Sequence, residues 1–214
     1  MFLKFPIVSL PTIMKDKIII KASELFLSLG FKSVTMDDIS NEMGISKKTI
    51  YKHIPNKRLL VNICVTFLHE KISKSICEIT SQDYNAIEEN FVIKHMLTDI
   101  FKKSNTSPMY QLQKYYPNIY KNLVENEFLI FKDCVGANIR KGINEGLYRK
   151  DINEKVILKF YFVLIFGYHD ENIFNYNENN LNELETIALE YHTRAIATSK
   201  GIKVLEKELK KINS

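Results

Sequence analysis

Apolar residues recur at three- and four-residue steps along nearly the whole chain, and this spacing limits the possible folds more than any other feature of the sequence. Side chains three and four apart share one face of a helix, whereas a half-buried strand needs strict alternation, which no segment sustains. Ile18, Ala22, Leu25, Phe26 and Leu29 mark a first helix that Gly30 closes. Thr35 can accept the free amide three residues on, and Asp37 and Asp38 suit the positive end of a helix, so a second helix opens there and stops at Gly44. A short third helix spans Ser46 to about His53, ended by Pro55. A long fourth, over roughly 57–80, carries Leu60, Ile63, Phe67, Leu68, Ile72, Ile76 and Ile79 as its stripe. Further helices are expected near 85–103, 106–115, 118–145, 152–171 and 180–199, separated by Pro108, Pro117, Gly146 and the Asn-rich stretch 175–182, with a last amphipathic piece over 202–212. Seven Gly and five Pro are few for 214 residues, which again favours long helices over a turn-rich sheet. The expected fold class is all-α.

Charge is distributed unevenly. Residues 1–60 hold ten Lys or Arg and five Asp or Glu, so the whole formal surplus of +5 lies in this stretch and the rest is balanced. A basic head on a neutral body points to a polyanion at the head. The three cysteines, Cys64, Cys77 and Cys134, have neither the number nor the spacing of a disulfide framework or zinc site, and suit a reducing cytoplasm. The apolar stretch Met1 to Met14 is broken by Pro6 and Pro11 and lacks a small-residue cleavage site; it is read as a poorly ordered or non-native arm, with Met14 an alternative start. The most apolar run, Val156 to Tyr168, is too short for a bilayer, which takes about 20 residues. No membrane partner is expected. The richness in Lys, Ile and Asn, with only four arginines, suggests an AT-rich bacterial genome.

Residues 35–57 carry the functional signal. Two short helices are joined by Gly44-Ile45-Ser46, where glycine permits the positive φ of a tight turn. Ile39, Met43, Ile45 and Ile50 would lock the pair together and leave Lys47, Lys48, Tyr51 and Lys52 outward on the second helix. A helix with basic and hydroxyl side chains fits a DNA major groove, which is about 12 Å wide.

The run from Ile18 to Lys57 resembles the DNA-binding head of the TetR family. The shared features are an Ala-x-x-Leu-Phe first helix, Gly30-Phe31, the run Val34 to Ile39, Met43-Gly44-Ile45-Ser46, Thr49-Ile50-Tyr51 and Asn56-Lys57. Ile54 departs from the family's usual phenylalanine but keeps an apolar plug, and Arg58 stands where an acid is frequent. The resemblance implies that Thr35, Tyr51 and Lys57 hold phosphates and that Ser46, Lys47, Lys48, Thr49, Lys52 and His53 lie in or beside the groove. Weaker likeness continues at 112–117, 145–152 and 194–201. The resulting organisation is an arm over 1–14, a three-helix helix-turn-helix domain over 15–60, and a helical effector-binding and dimerisation domain over 61–214.

The same resemblance implies a pocket between the fourth helix and the next three. Phe67, Phe101, Tyr115, Tyr116, Tyr120 and Phe131 are the candidates to line it, the tyrosines because their hydroxyls could orient a small-molecule effector. Dimerisation has its own physical argument: a helix apolar on almost every side, like 156–168, needs cover all round, and Leu184, Ile187, Ala188, Tyr191 and Ala195 offer a partner face. A homodimer through the helices near 152–171 and 180–199 would bring two heads to a palindromic operator in double-stranded DNA. The five scattered histidines give no metal site, and no nucleophile elbow or phosphate-binding loop supports catalysis or a cofactor. The reading is a cytoplasmic, ligand-responsive DNA-binding regulator, a repressor or its activating variant. The alternative is a small-molecule carrier or enzyme with a vestigial head.

Overall fold

The computed structural model describes residues 13–102, 107–170, 172–175 and 180–212. Most of the arm expected over 1–14 lies outside them; Ile13 and Met14 open the first helix. The chain forms α1 (Ile13–Leu29), α2 (Met36–Met43), α3 (Lys47–His53), α4 (Lys57–Thr80), α5 (Ala86–Phe101), α6 (Pro108–Tyr115), α7 (Pro117–Asn144), α8 (Glu154–Gly167), α9 (Leu181–Ile196) and α10 (Ser199–Ile212). Among the described residues the one non-helical pairing is an isolated bridge between Tyr148 and Ala197.

Side-chain caps start most of these helices. Asn56, Asn85, Ser107, Asn153 and Asn180 each accept an amide from the first turn of the helix they precede, satisfying donors that have no intrahelical partner. Two ends fall short of the spacing-based expectation. The eighth helix stops at Gly167 rather than 171, with Tyr168 as its cap. The ninth stops at Ile196 because Ala197 turns extended, at φ −73° and ψ 151°, to pair with Tyr148.

Two apolar clusters organise the packing. In the first, Ile18, Ala22 and Phe26 of α1 meet Ile39, Ile50, Ile54, Leu60 and Cys64, and Leu112 of α6 and Ile119 of α7 complete it. The head is therefore packed directly onto the body as well as joined to it through α4. The second cluster gathers Ile87 and Phe91 of α5 with Leu147, Tyr148, Tyr161, Leu189, Ile196 and Leu205. Its closing joint is a close approach of backbones. Thr198 donates to the Leu147 carbonyl at 2.8 Å, and a Cβ built on Gly201 would stand 2.2 Å from that same oxygen. Gly201→Ala must push α10 off the loop, so thermal unfolding should show a loss of about 1–3 kcal/mol, the usual cost of overpacking. An unchanged melting temperature would mean that the joint yields freely.

Candidate nucleic-acid interface and internal cavity

α2 and α3 are set by their caps and their shared core. Thr35 opens α2 with a reciprocal box: its hydroxyl accepts from the Asp38 amide at 3.1 Å, and its own amide donates to Asp38 Oδ2 at 2.8 Å. The Thr35 amide first, and then the Thr35 hydroxyl, which also donates to Asp38 Oδ2 at 2.8 Å, hold the Asp38 carboxyl below the usual carboxylate range. Gly44 then takes φ +62°, where a side chain would be strained, and turns the chain. Ser46 caps α3 by accepting from the Thr49 amide at 3.1 Å. Ile39, Ile50 and Ile54 are fully buried beneath the two helices, with Met43 and Ile45 packed against them.

With that face buried, α3 turns its opposite face outward. Lys47, Lys48, Tyr51 and Lys52 are exposed, Tyr51 by 43%. His53 and Thr49 are half-buried, and Ser46 and Thr35 are exposed at the helix starts. Two of the lysines named from sequence are also engaged within the head. Lys47 pairs with Asp37 at 2.8 Å, which raises its pKa. Lys57, at the start of α4, donates to the Lys32 carbonyl at 2.9 Å, and partial burial lowers its pKa. The residues named from sequence thus share one basic surface formed by α3 and the starts of α2 and α4.

The helices line a partly open cavity of about 300 Å³. It runs from Leu27 and Phe31 of the head, along Val65, Leu68, Ile72 and Ile76 of α4, to Ile165 of α8 and Leu189 of α9. Its wall is mainly apolar, interrupted by polar groups that include His69, Glu89, Asn90, Lys94, Asn138, His169 and Glu185. Glu89, 3% exposed, accepts from Asn138 Nδ2 at 2.7 Å and pairs with Lys141 at 2.7 Å. His169 Nδ1 lies 3.0 Å from the Ser107 hydroxyl, and burial pushes its pKa down to about 4, so the ring is neutral near pH 7.

Of the six aromatics expected on the cavity wall, Phe101 and Phe131 line it. Phe67, Tyr116 and Tyr120 pack against the head's core instead, and Tyr115 is 37% exposed beneath Lys32. The cause is the break between α6 and α7. Tyr116 leaves helical geometry, at φ −136° and ψ 54°, and aims its hydroxyl at the Phe31 carbonyl, 3.4 Å away. Sequence reasoning missed the polar wall. A signal was present: Lys94 continues the stripe of Ile87 and Phe91 at helical spacing, and a charge on an apolar stripe marks either a buried pair or a site.

A second feature is an uncovered apolar surface. Phe160 and Val163 of α8 are 68% and 66% exposed, and Ile187 and Tyr191 of α9 are 54% and 70% exposed. Their neighbours Leu158, Tyr161, Ala188 and Leu189 turn inward, so the exposed residues form the outer stripe of two adjoining helices. His192 is not on that stripe; it is buried, stacked on Tyr161 at 3.7 Å between ring centres.

Comparison with known proteins places the strongest similarity on the head. Residues 18–62 match the family model described as bacterial regulatory proteins, tetR family. The biofilm operon icaADBC negative transcriptional regulator IcaR of Staphylococcus epidermidis is 48% identical over 44 residues, covering 21% of this chain and 24% of that protein. The chain thus spans about a quarter of the length of that curated relative. Similarity to solved structures extends much further at low identity. A TetR-family transcriptional regulator from Agrobacterium tumefaciens superposes with a TM-score of 0.69 at 17% identity, over 86% of this chain and 97% of that one. SmeT, the repressor of the Stenotrophomonas maltophilia multidrug efflux pump SmeDEF, superposes at 0.64 with 14% identity, over 86% and 91% of the two chains. At these identities the shared property is the fold.

Proposed function

We infer that this chain, a TetR-family protein by its head and its fold, is a ligand-responsive transcriptional repressor that binds a palindromic operator as a homodimer. The observation that carries the reading is the basic face of α3, held outward over a fully buried core and flanked by Thr35 and Lys57. Lysine and tyrosine on such a face suit phosphates and base edges, and the half-buried His53 and Thr49 lie beside them. The names of IcaR, a negative transcriptional regulator, and SmeT, a repressor, favour repression over activation.

Two further observations support the finer parts of the reading. The outer stripe of α8 and α9 suits a symmetric four-helix contact between two copies, which would set the heads roughly 34–36 Å apart, one DNA turn. The cavity suits a small-molecule effector. α4 links the two sites, since Lys57 at its start touches the head's backbone while Ile72 and Ile76 wall the cavity. An occupant that tilts α4 would respace the heads, a coupling typically worth about 1–3 kcal/mol.

The test is a gel-shift titration on DNA upstream of the protein's own gene, at two salt concentrations, with unrelated DNA as competitor. A discrete complex of two protomers that survives competitor is the expected result. Complete loss to competitor, repeated after unbiased site selection, would leave a nonspecific DNA binder and end the operator reading. Lys57→Ala is expected to weaken binding to all sequences alike and to reduce the slope of log K against log salt by about 1. An unchanged slope would remove Lys57 from the phosphate contacts.

A further inference from the structure

The charges around the cavity narrow what it can hold. Among its described lining residues the carboxylates are Glu89 and Glu185 and the ammonium group is Lys94. Glu89 is already answered by Lys141 and Asn138. Lys94, only 7% exposed, donates to Asn182 Oδ1 at 2.6 Å, and the Thr98 hydroxyl is shared between that same oxygen at 3.2 Å and Glu185 Oε2 at a long 3.4 Å. Lys94 on α5 and Glu185 on α9 attract one another, yet each is hydrogen-bonded to a third group rather than to its opposite. The wall is thus balanced in charge and offers one strong donor and one strong acceptor at the same place, with the remaining surface mainly hydrocarbon.

We propose that the cavity takes an uncharged amphiphile, an apolar body with a single polar end that both accepts and donates a hydrogen bond, as a primary carboxamide does. The carbonyl oxygen accepts a hydrogen bond from the Lys94 ammonium and the amide nitrogen donates one to the Glu185 carboxylate. A carboxylate in that position would face Glu185, and an ammonium would face Lys94. Either ion would also lose its hydration without a free countercharge among the described carboxylates and ammonium of the wall, since Glu89 is paired with Lys141 and Lys94 and Glu185 attract one another. His169, neutral and tied to Ser107, supplies none. This inference rests on the reading of the cavity as the effector site and goes further by naming the effector's chemical class.

Three probes with one chain length separate the possibilities: decanamide, decanoate and decylammonium, each titrated calorimetrically into the full chain below its micelle-forming concentration. Decanamide is expected to bind about tenfold or more tightly than either ion. In Lys94→Met, where Glu185 keeps no ammonium partner, decylammonium should gain on decanamide. In Glu185→Gln, decanoate should gain instead. Circular dichroism identifies a variant that fails to fold, and the two variants lie on different helices, so the loss of one leaves the other decisive. No saturable binding of decanamide, or tighter binding of either ion to the unaltered protein, overturns the proposal, as does an order of preference that neither variant changes. Operator binding is then measured with decanamide present. Preferential uptake that leaves operator affinity unchanged would support the ligand class while ending the effector reading.

Discussion

Replacing Phe160 and Tyr191 together with aspartate is expected to leave a folded monomer in analytical ultracentrifugation and to weaken operator binding by about a hundredfold or more. Both side chains are roughly two-thirds exposed, at 68% and 70%. Substitutions at such positions usually change the stability of the single chain by only about 0.5 kcal/mol. In the proposed dimer the same positions would be buried on both sides of a two-fold axis, so four carboxylates would enter one apolar contact. A stable interface buries roughly 1,200–2,000 Å² in total, and uncompensated charge at its centre removes the drive to form it. Loss of the dimer then separates two heads that had bound as one unit, which is why the DNA effect should be large although neither residue touches DNA. A variant that remains dimeric would place the contact between copies elsewhere on the molecule.

Lys141→Met is expected to lower the unfolding free energy by about 3 kcal/mol, the lower end of the range for breaking a buried ion pair. The lower end applies because the Lys141 side chain is 30% exposed while that of Glu89 is 4% exposed. For a chain of this size the loss corresponds to a melting temperature lower by roughly 6–12 °C. The reason is what stays behind: Glu89 would keep Asn138 but lose its countercharge. Adding Glu89→Gln should recover a large part of the loss, since a neutral amide costs less to bury than an unpaired carboxylate. If the double variant were no more stable than the single one, charge pairing would not be the source of the effect.

Much of the fold was legible because the determining interactions are local. Helix faces depend on residues three and four apart, and caps such as Thr35, Ser46 and Asn56 bond the amide three residues on. For that reason the course of the ten helices among the described residues, the turn at Gly44 and the outward face of α3 follow from the residues themselves. The cavity was much less legible. Tyr115, Tyr116 and Tyr120 share the aromatic character of Phe101 and Phe131, and spacing alone does not say which neighbour each will meet. The break after Tyr115 decides the matter: it turns these tyrosines toward the head, while other residues of α4 to α9 wall the cavity.

The sequence by itself determined the all-helical class, the helix-turn-helix head with its basic face, and two apolar stripes that need cover. The tertiary structure alone decided that Leu112 and Ile119 complete the head's core, that Glu89 meets Lys141 across 52 residues, and that Lys94 meets Asn182 across 88. The difference has a physical origin. A helix forms from hydrogen bonds and side-chain contacts within a few residues, so its signal is written in consecutive positions. A cavity and its charges exist only where helices distant in sequence pack together, and the crossing that brings them into contact leaves no periodic mark on any one of them.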